Sequence, residues 1–428
     1  MIQANGGQLD AGAMRTALPT GALSGLKILD VSGWSGQYCG KMFSDLGAEV
    51  ILVEPCGGSS VRRDGPFLDN KPHIEHSLPF AYFNAGKRSI GLNLDSLEGR
   101  DIFKRLAARA DLLIESEKPG VMAARGLDFS SLTMVAPQLV MTSITPFGQS
   151  GPYSQYESED IVTLALGGLL YLGGYPETEP IAAYGNQACL AASQFAAVAS
   201  MIALHAETTN NVSSGRHIDV SIQECVVLAM ENAVQFFDLE GTIRKRNAGH
   251  QRQAGMGVFP CADGQVYFMA GGIASNRFWD GSVQWLLDEG VASAEKLKAP
   301  EWKQAAYLAT EEAKQLFASI FTPFCRTRTK AQLYAEGQAR RLPICPISTP
   351  RDLLDNRQLA YRNYFTSLDH DWSGRTLTVP GSPYQFSETP WRLQGPAPRL
   401  GEHTSDILSE LSIDPERQSV LLKAGVIQ

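Results

Sequence analysis

One asparagine opens a long apolar segment at a position where an anion or an acyl group could be held. Asn186 lies in Tyr184-Gly185-Asn186-Gln187, and residues 186–206 are rich in Ala, with larger apolar side chains between, which predicts a buried helix. The first turn of a helix has unpaired backbone N–H groups and a partial positive charge. This end therefore suits a carboxylate, although an asparagine there also favours a simple capping role.

The segments that must position Asn186 alternate between strand and helix. Apolar runs predict strands at residues 26–32, 49–54, 111–115, 138–144 and 217–223, and helical patterns lie at 36–46, 99–110 and 224–237. This rhythm is typical of βαβ units, so the predicted class is α/β with a mostly parallel, Rossmann-like sheet. Ligand sites are then expected at the carboxyl ends of the strands.

A polar, glycine-bearing stretch at residues 241–257 marks a domain boundary. Beyond it the pattern predicts a hairpin turning at Asp263-Gly264 and helices at 276–287 and 301–320, which suits a smaller α+β domain. We predict three parts, namely a flexible lead-in at 1–22, a large domain made of 23–240 and 346–428, and a small domain at 241–345.

Composition excludes several classes of protein. The formal net charge is −8 with scattered Lys and Arg, which disfavours a nucleic-acid partner. No membrane span or signal segment is evident in the sequence, and seven cysteines without CxxC pairs indicate a reduced, cytoplasmic protein without a zinc site. Gly33, Gly36 and Gly40 lack the G-x-G-x-x-G spacing, so we expect no nicotinamide cofactor. Because the cysteines lack the spacing of zinc ligands, we also expect no metal.

Five ordered motifs identify a family. They are GLKILDVSGWSGQYCGKMFSDLGAEVILVE at 25–54, FNAGKRSIGLNL at 83–94, DLLIESEKPGVMAARGL at 111–127, SITPFGQSGPY at 143–153 and APRLGEHTSDILSEL at 397–411. Together they resemble the family III CoA-transferases, which include formyl-CoA transferase, carnitine CoA-transferase and the related 2-methylacyl-CoA racemases. The resemblance covers nearly the whole chain. It implies acyl-CoA and carboxylic acid substrates, a large domain built from both chain ends, an inserted small domain and an interlocked dimer.

The resemblance places a nucleophilic aspartate at residue 186, where this chain has Asn186. An uncharged amide cannot form the acyl-enzyme anhydride or the thioester of these transferases, and losing a covalent nucleophile costs on the order of 10⁴ to 10⁶ in turnover. The resemblance also implies a set of positions that bind CoA. They are Gly36, Gln37, Asn84, Ala85, Lys87, Arg88, Lys118 and Arg125.

Three departures from the family pattern surround this site. Glu117 stands where the family motif Glu-Asn-Phe-Arg-Pro-Gly has its phenylalanine, and Ala124 stands where an arginine is expected, with Arg125 displaced by one position. A carboxylate near a phosphate cluster would repel it. The glycine-rich loop of the family is reduced to residues 254–257. We therefore expect weakened phosphate binding.

Two hypotheses follow from these departures. In the first, the chain is the non-nucleophilic subunit of a hetero-oligomer, as in the benzylsuccinate-type transferases, and a homologous partner supplies the aspartate. In the second, Asp160 acts as a racemase-like acid or base, since Glu159-Asp160-Ile161 resembles the racemase motif. Only half of an acid/base pair is visible, and an acid before a helix is typically a capping group. An inactive CoA-binding or scaffold protein is a further alternative.

Overall fold

The computed structural model describes residues 21–210, 214–270, 276–370 and 374–428. These residues divide into two compact units, a larger one containing the chain up to Gly167, Tyr184–Ala229 and Tyr364–Gln428, and a smaller one containing Gly168–Ala183 and Met230–Asn363. Residues 1–20 of the predicted lead-in lie outside the described chain. The domain boundaries drawn from the sequence stay a prediction.

The strands and helices of the described chain are as follows. The strands are β1 Lys27–Asp30, β2 Glu49–Glu54, β3 Arg88–Gly91, β4 Leu112–Glu115, β5 Val140–Thr145, β6 Arg216–Ser221, β7 Met256–Cys261, β8 Gly264–Met269, β9 Ile344–Pro346, β10 Phe365–His370 and β11 Arg375–Pro380. The helices are α1 Gln37–Asp45, α2 Leu78–Phe83, α3 Leu97–Ala107, α4 Val121–Ala124, α5 Phe129–Leu132, α6 Asp160–Leu166, α7 Leu169–Leu172, α8 Gln187–Asn210, α9 Ile222–Leu228, α10 Glu231–Glu240, α11 Asn276–Asp288, α12 Ala305–Leu308, α13 Glu311–Arg326, α14 Lys330–Arg340, α15 Pro350–Leu354, α16 Arg357–Tyr361, α17 Thr404–Glu410 and α18 Pro415–Lys423.

The larger unit is built on a parallel sheet of β1 to β6 in the order β3-β2-β1-β4-β5-β6. This confirms the predicted α/β class and parallel sheet. In this order the chain leaves β1 toward β2 on one side and later returns beside it with β4. The carboxyl ends of β1 and β4 therefore flank the point where doubly wound sheets bind their ligands.

One face of the sheet carries the main apolar core of the larger unit. Leu29, Leu113 and Met141 stand side by side on β1, β4 and β5 and are almost fully buried. Helix α3 packs on them through the face predicted from its sequence spacing. Its start is fixed by Ser96, whose hydroxyl accepts a hydrogen bond from the Gly99 N–H at 3.0 Å. Helices α17 and α18 complete the same core.

The sequence prediction needs correction at one strand and at one helix. Strand β3 was not predicted, because Ile90 is the one large apolar residue among Arg88 to Gly91 and no apolar run is visible there. The single helix predicted over 224–237 is wrong, since the chain forms α9 and α10 with a break after Leu228. The start of α9 is set by the Ser221 hydroxyl, which accepts from the Glu224 N–H.

In the smaller unit the predicted hairpin is confirmed. Strands β7 and β8 pair in antiparallel fashion around Asp263, and β9 pairs with β8. The predicted single helix at 301–320 is wrong, because Thr310 starts α13 afresh by accepting a hydrogen bond from the Ala313 N–H at 3.2 Å. Residues 254–257 do not form a free loop, since Ala254 is fully buried and β7 begins at Met256.

Candidate active site

The amino-terminal end of α8 holds the position that the resemblance assigns to the nucleophile. The Asn186 carbonyl accepts the first helical hydrogen bond, from the Leu190 N–H at 3.0 Å, so Asn186 is the N-cap residue by position. Gly185 before it has φ +80°, a left-handed conformation that glycine adopts without strain. Within the described residues the Asn186 side chain makes no hydrogen bond. Capping by this side chain is therefore not observed.

Asp160 caps α8 instead. Asp160 is the first residue of α6, and its Oδ1 accepts a hydrogen bond from the backbone N–H of Cys189, in the first turn of α8, at 2.9 Å. The fold thus brings Asp160 close to the helix end that begins at Asn186. Burial raises the pKa of the Cys189 thiol to about 12, so this cysteine is a neutral thiol at pH 7.

The loop after β1 joins the start of α8 to the loop after β4. The Ser35 carbonyl accepts from the Ser193 hydroxyl of α8 at 2.8 Å, and the Gly33 N–H donates to the Ser116 hydroxyl at 2.9 Å. Gly36 ends this loop, and a Cβ there would lie 2.5 Å from the Ser32 Oγ. Helix α8, the loop after β1 and the loop after β4 therefore lie next to one another at the carboxyl-terminal ends of the strands, the ligand edge of the sheet.

Four of the predicted CoA-binding residues are buried beneath this loop. Lys87 Nζ donates to Asp30 Oδ2 at 2.7 Å, to the Gln37 carbonyl at 2.8 Å and to Asn84 Oδ1 at 2.9 Å. The Asn84 amide in turn donates to Gln37 Oε1 at 2.8 Å. All three ammonium hydrogens of Lys87 are thus used inside the protein. Together with the fully buried Ala85, these side chains fix the loop after β1 and face no solvent.

Arg88 lies elsewhere, at the amino-terminal end of β3. Its guanidinium pairs with Glu49, the first residue of β2, and with Glu410 of α17, each at 2.7 Å. These contacts lie at the amino-terminal ends of the strands, whereas the loops after β1 and β4 lie at the carboxyl-terminal ends. The fold therefore does not bring Arg88 together with Asn186.

The two remaining cations lie on the loop after β4, and both are engaged by carboxylates of this chain. Lys118 Nζ is 2.5 Å from Glu157 Oε1. Arg125 lies 2.9 Å from Asp95 Oδ1 and 3.1 Å from Glu117 Oε1. Glu117, the residue that departs from the family pattern, thus partly neutralises the arginine that the resemblance assigns to phosphate.

Sequence reasoning missed Glu115 at the carboxyl end of β4. This side chain is 2% exposed, and burial raises the pKa of its carboxyl to about 7. The Glu117 N–H donates to Glu115 Oε2 at 2.7 Å, so the buried carboxyl holds the start of the same loop. The available signal was an acid ending a strand that is otherwise apolar, residues 111–115.

Within the described residues no group of three His, Cys, Asp or Glu side chains could hold a metal ion. One described helix, over Gln187–Ala206, has the length and mean hydropathy, 1.5, of a membrane span. It belongs to α8, which packs in the larger unit. There the Ser200 hydroxyl lies 2.7 Å from the Thr142 hydroxyl of β5.

The parallel sheet agrees with the α/β class that the sequence pattern predicted. The chain belongs to CoA-transferase family III, whose model matches residues 23–404. Members of this family use CoA thioesters as substrates.

Individual relatives agree with this family. The chain is 40% identical to the succinyl-CoA:(R)-benzylsuccinate CoA-transferase subunit BbsE of Thauera aromatica, across 94% of this chain and 98% of that protein. It is 27% identical to the succinyl-CoA–L-malate CoA-transferase beta subunit of Chloroflexus aurantiacus, across 92% and 95%. A CAIB/BAIF family protein from Brucella suis superimposes with a TM-score of 0.79 at 27% identity, covering 92% of this chain and all of that one.

Proposed function

We propose that this chain is the non-nucleophilic subunit of a hetero-oligomeric family III CoA-transferase. The observation that carries the proposal is the amino-terminal end of α8, where Asn186 occupies the nucleophile position and the neighbouring acid, Asp160, is bonded to the Cys189 N–H. Asn186 has no carboxylate for acyl transfer, and one oxygen of the Asp160 carboxylate is engaged in capping α8. A homologous partner then supplies the catalytic aspartate.

The ion pairs of the loop after β4 also support different roles for this chain and its partner. Lys118 and Arg125 are paired with Glu157, Glu117 and Asp95 of this chain, so an incoming phosphate would compete with three carboxylates. Such competition weakens anion binding, because exposed charges that are already neutralised offer little net field. In this proposal CoA binds chiefly at the site of the partner.

Exposed apolar side chains support assembly with a homologous subunit. On α8, Phe195, Val198 and Ile202 lie on the surface at helical spacing, and on α10 Phe237 and Leu239 are exposed. Apolar helix faces of this kind are typical of surfaces that another protein covers. We infer an interlocked dimer, as the family resemblance implies, with this chain completing the fold and shaping the acyl pocket.

The relatives support the choice of substrates. The proteins from T. aromatica and C. aurantiacus are named as subunits of transferases that use succinyl-CoA. We propose that the complex moves CoA from succinyl-CoA to an aromatic or dicarboxylic acid in the cytoplasm.

Native mass spectrometry of the protein purified from its own host tests the assembly. The expected result is a complex with a related subunit that carries aspartate at the position equivalent to Asn186. A homodimer of this chain that transfers CoA would contradict the proposal. If only a homodimer is found and it exchanges the α-proton of an acyl-CoA for deuterium, the Asp160 hypothesis replaces it.

A pair of matched substitutions tests the division of labour within the complex. Replacing the catalytic aspartate of the partner by asparagine should lower turnover by a factor on the order of 10⁴ or more. Asn186→Ala in this chain should leave turnover within a few-fold. A loss of similar size from Asn186→Ala would show that this chain performs chemistry.

A further inference from the structure

Three polar side chains form a line across the neighbouring strands β4, β5 and β6. Glu115 on β4 is level with Ser143 on β5, and His217 lies beside them on β6, the edge strand. Ser143 Oγ is 2.8 Å from His217 Nε2, and the Ser143 hydroxyl lowers the pKa of the Glu115 carboxyl, its cross-strand neighbour. Glu115 is 2% exposed, whereas His217 is exposed at the sheet edge.

Hydrogen bonds along this line can be arranged in two ways, depending on whether Glu115 is protonated or ionised. With Glu115 protonated, its O–H donates to Ser143 Oγ, the serine O–H donates to His217 Nε2, and the imidazole carries its proton on Nδ1. With Glu115 ionised, the serine O–H donates to the carboxylate, and His217 Nε2–H donates to Ser143 Oγ. Passing from the first state to the second transfers one proton along each bond and releases one proton from Nδ1 to water.

We propose that Glu115, Ser143 and His217 form a proton relay through which the buried Glu115 carboxyl exchanges its proton with solvent at the edge strand. A hydroxyl between a buried acid and an exposed imidazole suits this role, since it both donates and accepts. The relay requires His217 to remain neutral while its tautomer changes.

The surroundings of the line support both requirements. Glu117 and Asp219 face Glu115, and their negative charges add to burial in raising the pKa of the Glu115 carboxyl to about 7. His217 stacks on Phe129 with ring centroids 5.5 Å apart. Desolvation lowers the pKa of His217, although Asp219 and Asp128 oppose the change, so the ring is neutral near pH 7.

The relay acts on the loop after β4. The Glu117 N–H donates to Glu115 Oε2 at 2.7 Å, and a hydrogen bond to an ionised acceptor is stronger than one to a neutral carboxyl. Loss of the Glu115 proton therefore tightens the first turn of the loop that carries Glu117 and Lys118. Proton release at the edge strand is thus linked to the loop at the ligand edge of the sheet.

The tautomer of His217 is the direct test. The full-length protein, in the assembly in which it purifies, would be labelled with ¹⁵N-histidine and followed by NMR between pH 5.5 and 8.5, with His217→Gln to assign the signals. We expect Nε2 to change from unprotonated to protonated as pH rises, with no imidazolium in between. Glu115→Gln should abolish this change while the protein stays folded.

Two controls separate the relay from general effects of pH. Glu117→Gln changes a neighbouring charge but keeps the backbone N–H, so the tautomer change should persist with a shifted midpoint. Ser143→Ala should uncouple His217 from Glu115 and leave one tautomer throughout. The proposal fails if the tautomer of His217 is constant in the unmodified protein, or if it changes equally in Glu115→Gln.

Discussion

Two groups of basic side chains in the larger unit share residue types and differ in almost everything else. Lys87 and Arg62 are buried and hold their carboxylate partners, Asp30 and Glu54, in the interior. Lys118 and Arg125 lie at the ligand edge, where the charged groups of Lys118 and its partner Glu157 face water. The buried group holds distant segments together in the interior, whereas the edge group forms ion pairs near the surface.

The buried pairs have little freedom, because each is held by several bonds. Arg62 clamps both oxygens of Glu54, at 2.6 and 2.8 Å, and donates to the Pro398 carbonyl at 3.0 Å. This ties the returning C-terminal segment to β2. Removing one partner of such a pair leaves an uncompensated charge in a low dielectric, whereas an exposed pair contributes little.

The largest effect should come from Lys87→Met. Asp30 would then remain buried without its cation, and the free energy of unfolding should fall by about 3–5 kcal/mol. Urea denaturation at one fixed protein concentration, followed by circular dichroism, measures this change. Arg88→Met is the matched control, because the neighbouring arginine is partly exposed and its loss should cost under about 1 kcal/mol. Equal costs would remove the distinction between the two groups.

The pH dependence of the free energy of unfolding should depend on the buried acid Glu115 and not on Glu117, two residues later. Burial raises the pKa of Glu115 from 4.5 to about 7, so the folded state binds this proton more tightly than the unfolded state does. The contribution is neutral below pH 4.5 and destabilises the fold by about 3 kcal/mol once the pH exceeds 7. Unfolding measured from pH 4.5 to 8 should show this slope. Glu115→Gln should flatten it, and Glu117→Gln should not.

The sequence was sufficient for the features that depend on local pattern. Strands β1, β2, β4 and β5 were predicted from apolar runs, and α8 was predicted from a long apolar segment beginning at Asn186. The βαβ rhythm then implied the parallel sheet. Strand β3 was missed because its sequence, RSIG, has one large apolar residue and forms no apolar run.

The contacts of the site were beyond the reach of the sequence, because they join residues that are distant along the chain. Lys87 and Asp30 are 57 residues apart, and Cys189 and Asp160 are 29 apart. The family resemblance implied that Lys87 binds CoA, but it could not show that all the donors of Lys87 are used in the interior. It likewise gave Asp160 as an acid of open role, and only the fold shows it capping α8.

An intermediate change in the free energy of unfolding is expected at the Asp160 cap of α8. Asp160→Ala removes the acceptor of the Cys189 N–H and should cost about 1 kcal/mol of unfolding free energy. Asp160→Asn keeps an acceptor oxygen and should cost only a few tenths of that. Glu159, whose side chain makes no cap bond, is the control. If Asp160→Asn also stopped α-proton exchange by the protein, its carboxylate would be an acid or base rather than a cap.

The smallest change in the free energy of unfolding should come from Lys118→Ala. This variant tests most sharply whether the edge group differs from the buried group. The side chain of Lys118 is 42% exposed and that of its partner Glu157 is 89% exposed, so Lys118→Ala should change the free energy of unfolding by at most about 0.5 kcal/mol. Because Glu157 already neutralises this cation, the affinity of the isolated chain for CoA should change less than about twofold, which isothermal titration calorimetry measures. Glu157→Gln frees the lysine and should raise that affinity more than Lys118→Ala lowers it. A large loss on Lys118→Ala would place a phosphate of CoA on this loop and make the edge group a working binding site.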